Sequence, residues 1–182
     1  MNVLIAEDDA ITRRRLQHFL EKWGYSVQEA HDGLDALEKF LSGTFDLVIS
    51  DWMMPELSGL ELCRRIRKHP GDSYTYMIIT TARNAKEDIL EVFNAGADDY
   101  VGKPYDMSEL YARLATGKRV IQLEDDHREL HDTLVNSRNK VRTVFDALPE
   151  EILTVDLNLI IVSLNQSTLK RLADGYENLV GS

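Results

Sequence analysis

Three short apolar runs and two weaker strand-like stretches, each closed by polar or turn residues, alternate with segments whose apolar side chains recur at helical spacing. The apolar runs are Val3–Ala6, Phe45–Ser50 and Met77–Thr81; Tyr25–Ala30 is a weaker second strand and Asp98–Gly102 a short fifth. Between them fall Ile11, Leu16, Phe19 and Leu20, then Leu34, Leu37, Phe40 and Leu41, then Leu60, Leu62, Cys63 and Ile66, then Ile89, Leu90, Val92 and Phe93. Arg13, Arg14 and Arg15 are expected to turn outward from the first helix. Gly24, Gly43, Pro70-Gly71 and Gly96 supply the stops. Short apolar runs bounded by turns suit buried parallel strands, and their regular exchange with helices predicts an α/β domain with a doubly wound, five-stranded parallel sheet.

In such a sheet the chemistry lies at the carboxyl ends of the strands. Glu7 and Asp8 follow the first strand, Asp51 the third, Thr81 closes the fourth and Lys103 follows the fifth. Asp51 alone would read as a turn or a helix cap. The Glu7-Asp8-Asp9 run has a plain reading, a solvated turn with a cap for the next helix, and a sharper one, a cation site. Three convergent carboxylates repel one another unless a cation neutralises them. An octahedral, oxygen-ligated Mg²⁺ suits that set. A carboxylate held by a metal, with Lys103 and the Thr81 hydroxyl close by, is equipped to accept a phosphoryl group.

Composition narrows the partners. Apolar residues make up 43% of the 182, enough for a real core. The net charge of −10 argues against nucleic-acid binding, which needs clustered Lys and Arg. No run approaches the length of a membrane span, and Met1–Ile5 lacks the basic start of a signal peptide. Cys63 is the only cysteine, so an internal disulfide and a cysteine-based metal site are excluded. A cytoplasmic location is the expectation.

Residues 1–118 resemble the receiver domain of bacterial two-component response regulators. The resemblance rests on Leu4-Ile5-Ala6-Glu7-Asp8-Asp9, Asp51-Trp52-Met53-Met54-Pro55 with Gly59, Thr81-Ala82-Arg83, Gly96-Ala97-Asp98-Asp99-Tyr100 and Lys103-Pro104. It implies a flavodoxin-like fold with strand order 2-1-3-4-5. It implies that Asp51 accepts phosphate from a sensor histidine kinase or phosphotransfer protein. Asp8, Asp51 and the backbone carbonyl of Met53 would hold Mg²⁺, with Glu7 beside them in the metal set. Thr81 would be the switch hydroxyl, Tyr100 the switch aromatic, and Lys103 the ammonium that meets the phosphoryl group. The Lys103–Pro104 bond would be cis. Such a receiver catalyses only its own phosphorylation and dephosphorylation and is not otherwise an enzyme.

Between Met107 and Ala147 the only breaker is Gly117. From Val120 the apolar pattern becomes heptad-like: Val120, Leu123, His127, Leu130, Leu134, Ser137, Val141, Val144 and Leu148. Residues 119–147 are therefore expected to form a coiled-coil signalling helix that pairs two copies through 120–148. Some 40 helical residues would reach roughly 60 Å. The alternative is a helix folded back on its own domain. Arg128–Leu134 is similar to a phospho-acceptor motif of histidine kinases, with His131 beside Asp132, but no ATP-binding segment follows and the heptad accounts for the leucines.

Residues 148–182 resemble the opening of a PAS sensor domain. Pro149 ends the helix, two apolar strands flank a turn at Asp156–Asn158, Asn165 opens a helix, and Asn178-Leu179-Val180-Gly181 follows. The expectation is a partial α+β, PAS-like segment of a longer regulator that passes a signal to a C-terminal output. Two other functions fit the sequence less well. A Mg²⁺-dependent phosphohydrolase would carry a second acid two residues after its nucleophile, where Met53 stands. A phosphorylation-independent dimeric scaffold would not need the full set of strand-tip groups.

Overall fold

The computed structural model describes residues 1–69, 74–82 and 85–180. The Pro70-Gly71 stop, Arg83 and Gly181 lie outside these. The chain divides into two compact units, Met1–Asp126 and His127–Ser182.

The first unit is the expected doubly wound sheet. Strands β1 (Asn2–Ala6), β2 (Ser26–Ala30), β3 (Leu47–Asp51), β4 (Tyr76–Thr81) and β5 (Asp99–Gly102) pair in the order β2-β1-β3-β4-β5, every pair parallel. Helices α1 (Ala10–Lys22), α2 (Gly33–Ser42), α3 (Gly59–Lys68) and α4 (Lys86–Asn94) connect them, and α5 (Met107–Ala147) follows the last strand. Alternate residues of the central strands enter opposite faces. Leu4, Val48, Met77 and Ile79 pack with Ala36, Leu60, Leu62, Cys63, Ile66 and Val92 on one side. Val3, Ile5, Leu47, Ile49 and Ile78 pack with Leu16, Leu20, Leu110, Leu114 and Ile121 on the other. A strand buried on both faces must be apolar throughout, which is why these runs lack the alternation of a half-exposed strand.

Three local readings need correction. The third strand starts at Leu47, after Phe45, which stacks on Phe40, and Asp46, whose Oδ2 accepts the Asn2 backbone N–H at 2.7 Å. Ile11, grouped with the buried stripe of α1, is 81% exposed; only Leu16 and Leu20 of that helix are buried. Arg13 does not turn outward but reaches back to the acidic turn, as described below.

Gly117 does not interrupt α5. A Cβ there would sit 2.7 Å from Cδ1 of the buried Tyr76 ring, so the missing side chain lets the helix lie close to the sheet. A network at the N-terminal edge of the sheet adds a polar anchor. The Arg67 guanidinium donates to Gly96 O (2.8 Å), Thr75 O (2.7 Å) and Asp98 Oδ2 (2.6 Å). Asp98 also accepts the Met77 N–H at 2.7 Å and the Tyr74 hydroxyl.

The second unit contains the end of α5, an antiparallel hairpin of β6 (Leu153–Val155) and β7 (Ile161–Leu164), and α6 (Gln166–Val180). The turn is held by Asp156, whose Oδ1 accepts the N–H groups of Asn158 and Ile160, both at 2.9 Å. Asn165 is fully buried and ties the unit together. Its Oδ1 accepts from Ile152 N (3.1 Å), Thr168 N (3.1 Å) and Thr168 Oγ1 (2.6 Å), and its Nδ2 donates to Glu150 O (2.8 Å) and Leu148 O (3.3 Å).

Replacing Gly117 with Ala sets about 1 kcal/mol of helix propensity against the roughly 1–3 kcal/mol of overpacking a filled site. The clash falls on a buried ring, so overpacking wins. Gly117→Ala is expected to lower stability by up to about 2 kcal/mol in urea unfolding; a stabilised variant would show that α5 can move off Tyr76 freely.

Candidate functional site

The site follows from the strand register. Ala6 pairs with Ser50, Asp51 with Thr80, and Thr81 with Gly102. The residues that end these strands, or come just after them, are therefore neighbours. Glu7, Asp8 and Asp51 each place a carboxylate oxygen within 4.8 Å of the others. Lys103 Nζ donates to Asp51 Oδ2 at 2.7 Å and to Glu7 Oε2 and Oε1 at 2.9 and 3.2 Å. Its backbone N–H donates to Thr81 O at 2.6 Å, and the Lys103–Pro104 bond is cis.

The run Glu7-Asp8-Asp9 divides its labour. Glu7 is buried and Asp8 exposed, and both belong to the oxygen cluster. Asp9 is the N-cap of α1, its Oδ1 accepting Thr12 N at 2.8 Å. Arg13 is a residue that the pattern of α1 misplaced. Its Nη1 donates to the carbonyls of Glu7 (2.7 Å) and Asp8 (3.3 Å), in the turn that precedes the helix. Three basic residues in a row hid which of them faces the loop.

Asp51 is held at the tip of β3 by its own loop. Met53 N donates to Asp51 Oδ1 at 3.3 Å, Trp52 N to Thr80 O at 2.9 Å, and Gly59 N to Trp52 O at 2.9 Å. Gly59 opens α3 against that strand end. A Cβ on it would lie 2.1 Å from the Asp51 carbonyl oxygen, so only glycine fits. The Met53 side chain is exposed beside the site. Thr81 is buried at the end of β4. Tyr100 stands apart from the carboxylates, half-buried on β5. Its ring meets Phe93 edge-on at 5.9 Å, and the Arg113 guanidinium lies 5.8 Å from its centroid. Arg113 also pairs with Asp99 at 2.6 Å.

Burial pushes Glu7 up to about 7, against the pull of its hydrogen bond from Lys103. Burial alone would lower Lys103, but its bonds to Asp51 and Glu7 carry it above the ordinary lysine value. Three carboxylates facing one ammonium leave the cluster short of positive charge. Ligand oxygens of one octahedral Mg²⁺ lie at most about 4.2 Å apart, so a set within 4.8 Å closes on such an ion with small side-chain movements. The donor set, all oxygen and partly exposed, suits a hard divalent cation.

Comparison with known proteins agrees with this geometry. A family model described as response regulator receiver domain matches residues 3–115. Response regulator MprA of Mycobacterium ulcerans is 40% identical over 126 residues, covering 69% of this chain and 53% of that protein. The chain thus spans about half the length of the curated relatives it matches. The receiver domain of the Francisella response regulator 1452 superposes with a TM-score of 0.61 at 33% identity, covering 65% of this chain and 98% of that one. Response regulator TrrA of Thermotoga maritima, solved in complex with Mg(2+)-BeF, gives 0.57 at 36% identity, covering 64% and 97%.

The two neighbouring acids are separable by experiment. Asp8→Asn is expected to weaken Mg²⁺ binding, read by calorimetry, with little effect on melting temperature. Asp9→Ala should lower the melting temperature through the lost cap and leave Mg²⁺ binding intact. The reverse pattern would exchange their assignments.

Proposed function

The chain belongs to the response regulator receiver domain family, and from that premise we propose that Asp51 accepts a phosphoryl group from a phosphohistidine on a sensor histidine kinase or phosphotransfer protein. The observation that carries this is the convergence of Glu7, Asp8, Asp51 and Lys103 on one strand edge. In the reaction an Asp51 carboxylate oxygen attacks phosphorus, the phosphorus–nitrogen bond of the donor breaks, and its electron pair leaves with the imidazole. Lys103, already 2.7 Å from Asp51, is positioned to pair with a phosphoryl oxygen as charge accumulates. Asp8, Asp51 and the Met53 carbonyl would hold Mg²⁺, with Glu7 in the same set. When bound, the ion supplies charge neutralisation at the phosphoryl oxygens.

The added charge and acceptor oxygens give the Thr81 hydroxyl a new partner. Thr81 shifts toward the phosphoryl group, and Tyr100 turns inward from its place between Phe93 and Arg113. The surface of α4, β5 and α5 changes with it. The matching relatives are response regulators, so the chain is assigned to signalling and not to enzymology.

The remaining assignments are part of the same reading. Residues 1–118 are the receiver, 119–147 a signalling helix, and 148–182 the opening of a PAS-like domain that leads to a C-terminal output. A homodimer through 120–148 is supported by a seam left in water: Leu123 is 68% exposed, Leu130 59%, Leu134 61%, Val141 67% and Val144 64%. Such a stripe on a helix marks a partner surface. The strand, turn, strand and Asn165-capped helix support the PAS-like reading. No helix among the described residues is long and apolar enough to cross a membrane. With the acidic charge balance, this favours a cytoplasmic protein that binds neither membrane nor nucleic acid.

Two experiments test the proposal. Intact mass after incubation with a small-molecule phosphodonor and Mg²⁺ should show one phosphoryl group on the wild type and none on Asp51→Asn. An unmodified wild type would overturn the acceptor assignment. Leu130→Lys combined with Leu134→Lys should convert the dimer to a monomer in light scattering while phosphoryl uptake persists; an unchanged dimer would place the interface elsewhere.

A further inference from the structure

The chain has five histidines, and three are engaged with neighbours. His18 sets its ring against Phe19 at 5.7 Å, His31 Nδ1 lies 2.6 Å from Asp35, and His69 meets Phe40 edge-on at 6.3 Å. The other two, His127 and His131, are exposed and make no hydrogen bond, ion pair or ring contact among the described residues. These two free imidazoles stand four residues apart on the continuous helix α5. Side chains at i and i+4 share one helix face, with Cβ atoms about 5–6 Å apart. The same spacing seats two histidines on one zinc ion in the H-E-x-x-H helix motif.

The local charge favours a cation. Residues 124–132 contain Glu124, Asp125, Asp126, Glu129 and Asp132 against Arg128 alone. The donor type selects which cation. Imidazole nitrogens suit Zn²⁺, Ni²⁺ and Cu²⁺, whereas Mg²⁺ prefers oxygen and belongs at the strand tips. Cys63 is buried in the first unit and is not a competing ligand.

We propose that His127 and His131 form a binding site for a borderline divalent transition-metal ion, with Zn²⁺ as the type ion and water completing its coordination. The inference does not rest on the phosphoryl-transfer reading. Both rings reach one ion only while residues 127–131 are helical, so occupancy favours the helix there. His127 also occupies a position of the apolar stripe that lacks an apolar side chain. The ion therefore acts where that stripe is weakest, and it gives the helix a chemical input separate from Asp51.

The test is calorimetric titration of the full chain with Zn²⁺ in excess Mg²⁺, which keeps the oxygen cluster occupied. One Zn²⁺ per chain is expected. His127→Gln and His131→Gln should each abolish the isotherm, and His31→Gln should preserve it. Exchanging residues 131 and 132 (His131→Asp with Asp132→His) keeps the composition but turns the second ring roughly 140° from the first, and should also abolish binding. Circular dichroism would verify that each variant keeps its helix. Ni²⁺ and Cu²⁺ should replace Zn²⁺, with Mn²⁺ weakest. Retention of binding in either single variant or in the exchanged variant overturns the site. So does its loss in Asp51→Asn, which would place the ion at the strand tips.

Discussion

Every strand of a parallel sheet ends on the same edge, and pairing register decides which side chains meet there. In this chain Ala6 lies beside Ser50, Asp51 beside Thr80, and Thr81 beside Gly102. The site is built from the next residue or two on each strand. A slip of one residue would turn Asp51 to the other face and its neighbours into the core. The cores on both sides of the sheet make such a slip costly, because Leu4, Val48 and Ile79 would have to exchange places with Val3, Ile49 and Ile78. The packing that stabilises the fold thus also holds the carboxylates together. They repel, and the Lys103 ammonium spans Glu7 and Asp51.

The two units are stabilised in different ways. The first buries continuous apolar strands between helices and fastens its rim with Arg67 and Asp98. The second exposes most of its large apolar side chains, including Ile160, Ile161 and Val162 of the hairpin, and buries polar Asn165 and Thr168 instead. Its order comes from hydrogen bonds that converge on one side chain. A two-stranded hairpin has too little surface to form a core of its own, so a central amide that satisfies several backbone groups does the organising.

Much of the first unit was legible because periodicity is written directly into side-chain type. Alternation of apolar runs with helical stripes specified the sheet, its strands and the residues at their tips. Strand ends were less legible. Phe45 is as apolar as a strand residue, but the strand starts two positions later, at Leu47. Site residues declared themselves by chemistry, since Glu7, Asp8, Asp51 and Lys103 are charges where buried strands end. Arg13 was illegible, because its role depends on two carbonyls of the turn before its helix and not on its adjacent residues. Gly117 was misleading for a related reason. Its meaning lies in Tyr76, which is distant in sequence, while in its own helix it looks only like a weak point.

Arg13 has a further consequence. Its guanidinium grips the carbonyls of Glu7 and Asp8, not their carboxylates. The backbone of the acidic turn is therefore shaped by a contact that does not compete for the carboxylate oxygens. A loop ordered beforehand loses little conformational entropy when it closes on an ion. For a Mg²⁺ ion bound there, the slow step would be the shedding of its own water, since that ion dehydrates reluctantly.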